Sequence, residues 1–272
     1  MTLRTPLCEL LGIEHPIVQA PITNEAALPR AVATAGALGT IQCTSASVER
    51  VAELTGGLAT LPVAFNVRIS QPRHEQVDAV LAGGARIVSL FWGDPAPYVE
   101  RIHAAGARVL ATVSSADEAR RAEANGVDVV VAQGWEAGGH VRGDVATLPL
   151  VAAVVDAVSI PVVAAGGIGD GRGLAAALVL GAQAAWLGTR FVASTECPLP
   201  YKERLLDADE TATLTGEEEE GSWPPGAPFR VLAGDDRPYA GQSVGVVRDL
   251  KPAGDIVRDL VAEAERALAA RR

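Results

Sequence analysis

The chain has 272 residues, 49% of them hydrophobic, and carries a net charge of −10 at pH 7. Its length suffices for one sizeable core, whereas the lack of a basic stripe disfavours nucleic acid and anionic membranes as partners. No apolar run is long enough to span a membrane and the first residues do not resemble a signal peptide, so we expect a cytoplasmic protein. Cys8, Cys43 and Cys197 are too far apart to predict a disulfide framework or a zinc site.

Eight short runs rich in valine, isoleucine and alanine are predicted to be strands. In chain order they span 15–22, 37–43, 61–69, 85–93, 107–113, 127–134, 160–168 and 182–191. Segments with helical periodicity lie between them, such as 115–126 and 147–159. Apolar strands that alternate with helices indicate a parallel sheet covered on its faces. Eight such units favour a closed (β/α)₈ TIM barrel in the α/β class, although an open Rossmann-like sheet would produce a similar local pattern.

The character of the sequence changes after the eighth strand. Residues 195–241 contain many prolines and the acidic run Glu217–Glu220, which predicts an extended excursion with a solvated or mobile acidic segment. Residues 255–272 have the pattern of an amphipathic helix that closes the chain. We therefore predict a single domain over residues 1–272, with the barrel at about 15–194 followed by the excursion and the closing helix.

Glycine-rich turns are predicted to follow the seventh and eighth strands. In such a barrel the loops at the carboxyl ends of the strands form the active site, and those after strands seven and eight commonly bind phosphate. Gly166 and Gly167 end the seventh strand, and Gly188 and Thr189 end the eighth. Tight turns alone would explain one such pair, but two pairs on adjacent strands favour backbone N–H groups that hold a phosphate. Asp170 is expected to cap the following helix.

Amide side chains are predicted at three other strand ends. Gln19, Asn66 and Gln133 end or interrupt apolar strands, and a buried amide has to find hydrogen-bond partners. A single such residue is readily explained by pairing within the protein. Three that converge on one barrel mouth favour a heterocyclic ligand with donors and acceptors along its edge.

His140 stands among four glycines at the end of the sixth strand. Its intrinsic pKa of about 6.5 suits a general base at neutral pH, and the glycines would bring it close to the mouth. The residues alone leave a catalytic and a structural role equally open. His15, His74 and His103 are expected to be structural or surface residues. No metal cluster, nucleophile elbow, Walker loop or CxxC motif occurs in the sequence, which leaves base catalysis beside a phosphate-bearing cofactor.

Five segments carry a resemblance to a known family. They are QAP at 19–21, AFNV at 64–67, AQGWEAGGHVRG at 132–143, PVVAAGGIGDGRGLAAALVLGA at 161–182 and LGTRF at 187–191. These segments, in this order, resemble the nitronate monooxygenases, formerly called 2-nitropropane dioxygenases. YKERLLDADET at 201–211 is similar to the stretch that follows the barrel in that family. The resemblance implies an FMN-dependent TIM-barrel oxidoreductase that oxidises nitronates or nitroalkanes with dioxygen.

The resemblance also implies a set of site residues. The FMN contacts would be Ala20, Pro21, Ile22, Asn66, Gln133, Gly138, Gly139, Gly166, Gly167, Trp186, Leu187, Gly188 and Thr189. His140 falls at the position of the family's catalytic base, which would remove the acidic proton next to a nitro group. The nitronate so formed can reduce the flavin, which then passes electrons to dioxygen. The expected partners are the small-molecule substrate and dioxygen, with the chain a monomer or a homodimer.

Two positions depart from the family pattern. Methionine usually follows QAP, where this chain has Ile22, and glutamine commonly precedes the hydrophobic–Gly–Thr element, where it has Trp186. Both changes replace a side chain at the flavin, although the backbone N–H of Trp186 remains able to donate. The sequence accordingly leaves open the physiological substrate and the use of NAD(P)H.

Two other functions stay open at this point. A flavin-dependent enoyl-acyl-carrier-protein reductase resembles this chain in the GGH and AGGI elements and would use NAD(P)H. Its acidic carrier ought to meet a basic rim, and the net charge of −10 counts modestly against this function. A flavin-binding accessory protein without turnover is the second alternative. An inosine-monophosphate dehydrogenase relative is excluded, because that family needs a nucleophilic cysteine and none lies between Gln133 and Pro149.

Overall fold

The structure is a computed structural model that describes residues 3–219, 221–234, 236 and 238–270. Within these residues the chain forms eleven β-strands and ten α-helices. None of the helices found there has both the length and the apolar composition needed to cross a membrane. Glu220 of the predicted acidic segment and the last two arginines of the predicted closing helix lie outside the described residues.

All eight predicted barrel strands are present, and each is shorter than its apolar run. The barrel strands are β1 (Ile17–Gln19), β2 (Gly39–Gln42), β3 (Val63–Arg68), β4 (Ile87–Phe91), β5 (Arg108–Val113), β6 (Val129–Gln133), β8 (Val162–Ala165) and β9 (Ala184–Leu187). A separate three-stranded sheet contains β7 (Gly139–His140), β10 (Thr213–Glu217) and β11 (Pro228–Leu232). The helices are α1 (Pro6–Leu11), α2 (Ala27–Thr34), α3 (Val48–Leu58), α4 (His74–Ala82), α5 (Ala96–Ala104), α6 (Ala116–Ala124), α7 (Thr147–Ala157), α8 (Gly171–Val179), α9 (Thr189–Val192) and α10 (Ala253–Ala269).

Eight parallel strands form the barrel, in the order β1-β9-β8-β6-β5-β4-β3-β2. The two ends of this order meet at a bridge between Val18 and Leu38. The Gln19 side chain strengthens the junction, because its Oε1 accepts from the Thr40 N–H and its Nε2 donates to the Thr40 carbonyl, both at 3.0 Å. The sheet therefore curls into the predicted (β/α)₈ barrel, and the open Rossmann-like alternative is excluded.

Alternation of side chains along the strands separates two apolar layers. One set, which includes Ala64 and Val131, points into the barrel and packs with α1. The other set, which includes Phe65, packs between the barrel and its helices. The Leu7 N–H of α1 donates to the Gln183 side chain just before β9 at 3.0 Å, so α1 covers the amino-terminal end of the barrel. Only the carboxyl ends of the strands are left as a mouth.

The excursion after the barrel folds back onto this mouth. β10 and β11 form an antiparallel hairpin, and β11 also pairs with the two-residue strand β7, where Phe229 lies opposite His140. Part of the predicted acidic segment is therefore ordered. Glu217 ends β10 and is exposed, whereas the Glu218 side chain is only 22% exposed. The expectation of a solvated acidic segment is wrong for Glu218, because the hairpin turns that carboxylate towards the barrel.

The predicted closing helix is present as α10, which packs against α8 and α2. Its apolar face, including Ile256 and Leu260, is buried. The Glu263 carboxylate of α10 accepts from the Gly171 N–H at 2.8 Å. A Cβ atom on Gly171 would lie 2.6 Å from the Leu260 carbonyl oxygen. The close approach of α10 to α8 therefore depends on glycine at this position.

We expect Gly171→Ala to destabilise the fold by about 1–3 kcal/mol, because the added methyl group overlaps the backbone of α10. The control is Gly56→Ala in α3, where a Cβ would meet nothing within 4 Å. That change should stabilise the fold by up to about 1 kcal/mol through helix propensity. Urea denaturation measures both free energies of unfolding, and a Gly171→Ala variant as stable as the unmodified chain would contradict this packing.

Candidate active site

A cavity of about 1080 Å³ opens at the carboxyl ends of the barrel strands. The structure brings all of the predicted site residues except Leu187 to its wall. They are Ala20, Pro21, Ile22, Asn66, Gln133, Gly138, Gly139, His140, Gly166, Gly167, Trp186, Gly188 and Thr189. Ligand pockets commonly measure about 300–1,000 Å³, so this cavity has room for a cofactor and a substrate together.

The exception follows from side-chain alternation in β9. Leu187 is fully buried in the layer between the barrel and its helices, and its carbonyl accepts from the Ala20 N–H at 2.9 Å. The Leu187 side chain therefore does not line the cavity, and its flavin contact stays a prediction. Trp186, one residue earlier, points into the barrel and contributes to the cavity wall.

Two of the three predicted amides line the cavity, and Gln19 does not, because it joins β1 to β2. Asn66 donates its Nδ2 to the Ser89 hydroxyl at 3.1 Å. Gln133 donates its Nε2 to the His140 carbonyl at 3.2 Å. The Oε1 atom of Gln133 is buried and has no hydrogen-bond partner among the described residues. A buried acceptor without a donor is costly, so a ligand N–H that reached Gln133 would be stabilised there.

The two glycine-rich strand ends lie side by side on β8 and β9, as predicted. Gly166 and Gly167 have φ values of +105° and +66°, a region that favours glycine. Gly188 has an ordinary φ of −102°. A Cβ at Gly188 would have only the Ala20 side chain near it, at 3.5 Å. The missing side chain at Gly188 therefore leaves space at the cavity wall without being required by the backbone.

The amino terminus of α8 is already occupied by carboxylates. Asp170 caps the helix as predicted and accepts from the Gly173 N–H at 2.9 Å. Glu263 accepts from the Gly171 N–H at 2.8 Å. A phosphate on this side of the mouth would therefore be held by the ends of β8 and β9 rather than by α8.

His140 ends β7, and its imidazole lies in the cavity wall with 1% of the side chain exposed. Both ring nitrogens have partners. Nε2 lies 2.8 Å from the Glu218 Oε1, and Nδ1 lies 3.3 Å from the Tyr239 hydroxyl. Since a carboxylate only accepts, Nε2 carries the proton of the neutral ring and Nδ1 accepts from Tyr239.

Burial favours the uncharged imidazole and lowers the pKa of His140 below its usual value. The hydrogen bond and negative charge of Glu218 oppose this effect, and the positive charge of Arg68 adds to it. The ring is therefore neutral at neutral pH, which is the form that a general base requires. Burial also raises the pKa of Tyr239, so its hydroxyl stays protonated and can donate.

Aromatic side chains cover the imidazole. Trp223 from the hairpin stacks on it, with ring centres 3.5 Å apart and an interplanar angle of 12°. Trp92 and Phe229 approach the ring at centroid distances of 6.1 Å and 5.8 Å. Trp92 follows β4 and has a φ of +62°, which is costly for a bulky residue and is typical of functional sites. These rings exclude water from the base.

Two arginines that the sequence analysis did not select add positive charge to the cavity wall. Arg68 ends β3 two residues after Asn66, so it points into the barrel mouth and is 6% exposed. Its guanidinium carbon lies 4.1 Å from the centre of the Trp223 ring. Burial and the nearby Arg73 lower the pKa of Arg68. The Nε atoms of both arginines have no hydrogen-bond partner in the described part of the chain.

The loop between β6 and α7 is fixed from two sides. The Thr147 N–H and hydroxyl both donate to the Glu136 Oε2 at 2.8 Å. Arg230 of β11 donates its Nε to the Trp135 carbonyl at 3.2 Å. His140 therefore lies on a loop that is tied both to the barrel and to the hairpin.

Comparison with known proteins agrees with this arrangement. Residues 46–224 match the family model described as nitronate monooxygenase. A nitronate monooxygenase from Paraburkholderia phytofirmans is 35% identical over 268 residues, covering 77% of this chain and 72% of that protein. The solved structure of FabK from Thermotoga maritima superposes with a TM-score of 0.92 at 32% identity, covering 99% of this chain and 98% of that one.

A further relative has a different printed activity. It is the (3aS,4S,5R,7aS)-5-hydroxy-7a-methyl-1-oxo-octahydro-1H-indene-4-carboxyl-CoA dehydrogenase of Mycobacterium tuberculosis, 37% identical over 243 residues, covering 85% of this chain and 67% of that protein. The family model spans more than half of the chain, including the loop that carries His140 and the glycine-rich ends of β8 and β9. The chain is therefore an enzyme of the nitronate monooxygenase family of TIM-barrel flavin oxidoreductases.

Proposed function

We propose that the chain is an FMN-dependent enzyme that oxidises nitronates and nitroalkanes with dioxygen, with His140 as the base. The observation that carries the proposal is the buried, uncharged imidazole in the wall of the same cavity as the glycine-rich ends of β8 and β9. The two alternatives from the sequence fare differently. The non-catalytic accessory protein is set aside, because the family consists of enzymes. The reductase that would use NAD(P)H is tested by the experiment with a thioester described below.

The residues present fit a flavin mononucleotide. The unpartnered Oε1 of Gln133 needs a donor, and the edge of an isoalloxazine ring offers an N–H. Asn66 lies in the same wall. The phosphate would be held by the backbone of Gly167, Gly188 and Thr189, on the side of the mouth where such barrels bind phosphate. Once bound, the flavin would accept two electrons from the nitronate and pass them to dioxygen.

The protein supplies the proton transfer and the surroundings in which it occurs. A nitro group acidifies the neighbouring C–H bond, and His140 would take that proton while the electron pair stays on the substrate as the nitronate. Arg68 places a buried positive charge near the base, which favours the anion over the neutral nitroalkane. Trp223 shields the pair from water, which strengthens these charge interactions.

A second candidate is an oxidoreductase that acts on an acyl thioester, whose α-carbon also bears an acidic proton. Arg68 and Arg73 in the cavity wall favour an anionic ligand, and the mycobacterial relative is described as a carboxyl-CoA dehydrogenase. Oxygen uptake with a panel of nitronates, compared with flavin bleaching by NADH and a crotonyl thioester, separates the two functions. Bleaching and thioester turnover without nitronate-dependent oxygen uptake would overturn the first proposal.

We expect His140→Asn to keep the flavin but to lose turnover of neutral nitroalkanes by about 10²-fold or more, because general base catalysis contributes about 10²–10⁴. Preformed nitronates need no deprotonation and should be much less affected. Steady-state oxygen consumption with a nitroalkane and its own nitronate measures both rates. Near wild-type rates on both substrates would remove the base assignment.

The pH dependence should reflect the lowered pKa of the base. The kcat/KM for a neutral nitroalkane should rise as His140 loses its proton and reach half of its plateau below pH of about 6.5, the ordinary value for histidine. With preformed nitronate this inflection should be absent. A midpoint well above that value for the nitroalkane would contradict a base whose charged form is disfavoured by burial.

Gly188→Leu should prevent flavin binding, because the new side chain would occupy the place of the phosphate, and it should leave the protein folded. The site of the new side chain is open in the fold, with only the Ala20 side chain at 3.5 Å, and it lies at the cavity wall. The visible absorbance of the flavin should be lost, while the variant should unfold at about the same temperature as the unmodified protein freed of flavin, because a bound ligand itself stabilises the fold. The control is Gly56→Leu in α3, where a Cβ meets nothing within 4 Å, and which should retain the flavin.

A further inference from the structure

We propose that Glu218 is the positioning residue for His140: its carboxylate holds the Nε2 proton and leaves Nδ1 as the atom that receives the substrate proton. The inference rests on the proposed role of His140 as the base and adds the residue that sets its tautomer. The observation behind it is the 2.8 Å contact between the His140 Nε2 and the Glu218 Oε1.

The backbone of the hairpin fixes this carboxylate in place. The Glu218 N–H donates to the Ala227 carbonyl at 3.0 Å, and the Glu218 carbonyl accepts from the Gly226 N–H at 2.8 Å. Glu218 therefore continues the pairing of β10 with β11 beyond the last strand residue. Its side chain starts from an ordered position, which reduces the entropy lost when it binds the imidazole.

The sheet register brings the two groups together across β11. Gly216 of β10 pairs with Phe229, and Phe229 pairs with His140. A Cβ on Gly216 would lie 2.7 Å from the Phe229 ring, so the glycine lets that ring lie against β10. Glu218, two residues after Gly216 and just past the end of β10, then lies within reach of the imidazole.

The other charged and titratable groups around the imidazole cannot perform this task. Tyr239, from the segment after β11, faces Nδ1 at 3.3 Å, a longer and weaker contact that a substrate can displace. Arg68, from the end of β3, is a cation and opposes a charged imidazole. Among the described residues that face the ring, Glu218 is the one anion. Trp223 stacks on the ring and restricts its rotation.

The proton transfer needs only the substrate, His140 and Glu218. The substrate C–H bond breaks, its proton goes to Nδ1, and its electron pair remains on the substrate as the nitronate. The imidazolium so formed keeps its Nε2–H bond to the Glu218 carboxylate, which compensates the new positive charge in a buried place. Neutralising Glu218 therefore weakens the base, even though a glutamine could still accept the hydrogen bond.

The first test uses the purified, flavin-loaded protein and needs no change at Glu218. The chain has four histidines, and loss of one set of ring ¹⁵N resonances in His140→Gln identifies His140. The ¹⁵N shifts of its neutral ring should show the proton on Nε2. A proton on Nδ1 would overturn the proposal.

The second test compares Glu218→Gln with Glu219→Gln, an equal loss of charge at the exposed neighbour. The titration midpoint of His140 should move to lower pH by about one unit in Glu218→Gln, because a nearby opposite charge is lost, and should stay in place in Glu219→Gln. Turnover of a neutral nitroalkane should fall about tenfold in Glu218→Gln alone, with the preformed nitronate unaffected. A purely structural role would leave the His140 midpoint unchanged, and that result would overturn the proposal.

Failure of the substrate assignment gives a different result. If no nitroalkane or nitronate is turned over but the ¹⁵N shifts and the midpoint behave as described, the proposed substrate is wrong and the role of Glu218 stands. If Glu218→Gln does not fold, the tautomer in the unmodified protein decides the question by itself.

Discussion

The candidate site depends on one short pairing, that of β7 with β11. Gly139 and His140, in the loop between β6 and α7, pair with a strand that lies about ninety residues later in the chain, with Phe229 opposite His140. Without that pairing the imidazole would be held only by a glycine-rich loop, whose backbone is costly to order. With it, the ring receives a hydrogen-bond partner on each nitrogen and an aromatic cover. The barrel supplies the cavity, and the hairpin completes the base.

Opposing electrostatic effects set the state of this base. Burial disfavours the imidazolium, and Arg68 acts in the same direction, whereas Glu218 stabilises it. The balance lies on the side of the neutral ring, so the histidine is ready to accept a proton, and the carboxylate limits how weak a base it becomes. Neither burial nor the nearby anion would produce this balance alone. A buried histidine without an anion nearby would be a poor proton acceptor. An exposed histidine would already be charged over more of the acidic pH range.

The barrel and most of the cavity wall could be predicted from the sequence because both follow local rules. Apolar runs alternate with helical segments, and parallel strands carry their terminal residues to one mouth, which placed Gln133, Gly167 and Gly188 correctly. The Leu187 side chain does not reach the cavity, because the alternation along β9, which a motif match ignores, turns it to the outer layer. The Gln19 side chain is a similar case, since its amide joins β1 to β2 where the barrel closes.

The site residues that the sequence analysis did not select fall into two classes. Arg68 had a sequence signal, because a charged residue ends an otherwise apolar strand in the same alternation as Asn66. Glu218, Trp223 and Tyr239 had none, because their roles arise only when the excursion folds back over the mouth. A proline-rich, acidic stretch has the composition of a loop, and no local pattern reveals which distant strand it will pair with.

The hairpin has a consequence for how such an enzyme can diverge. Glu218, Trp223 and Phe229, which contact the imidazole, lie on the hairpin, whereas the glycine-rich strand ends belong to the barrel. Substitutions in the hairpin can change the surroundings of the imidazole while the barrel stays intact. The environment of His140 and the wall formed by the strand ends can therefore diverge independently.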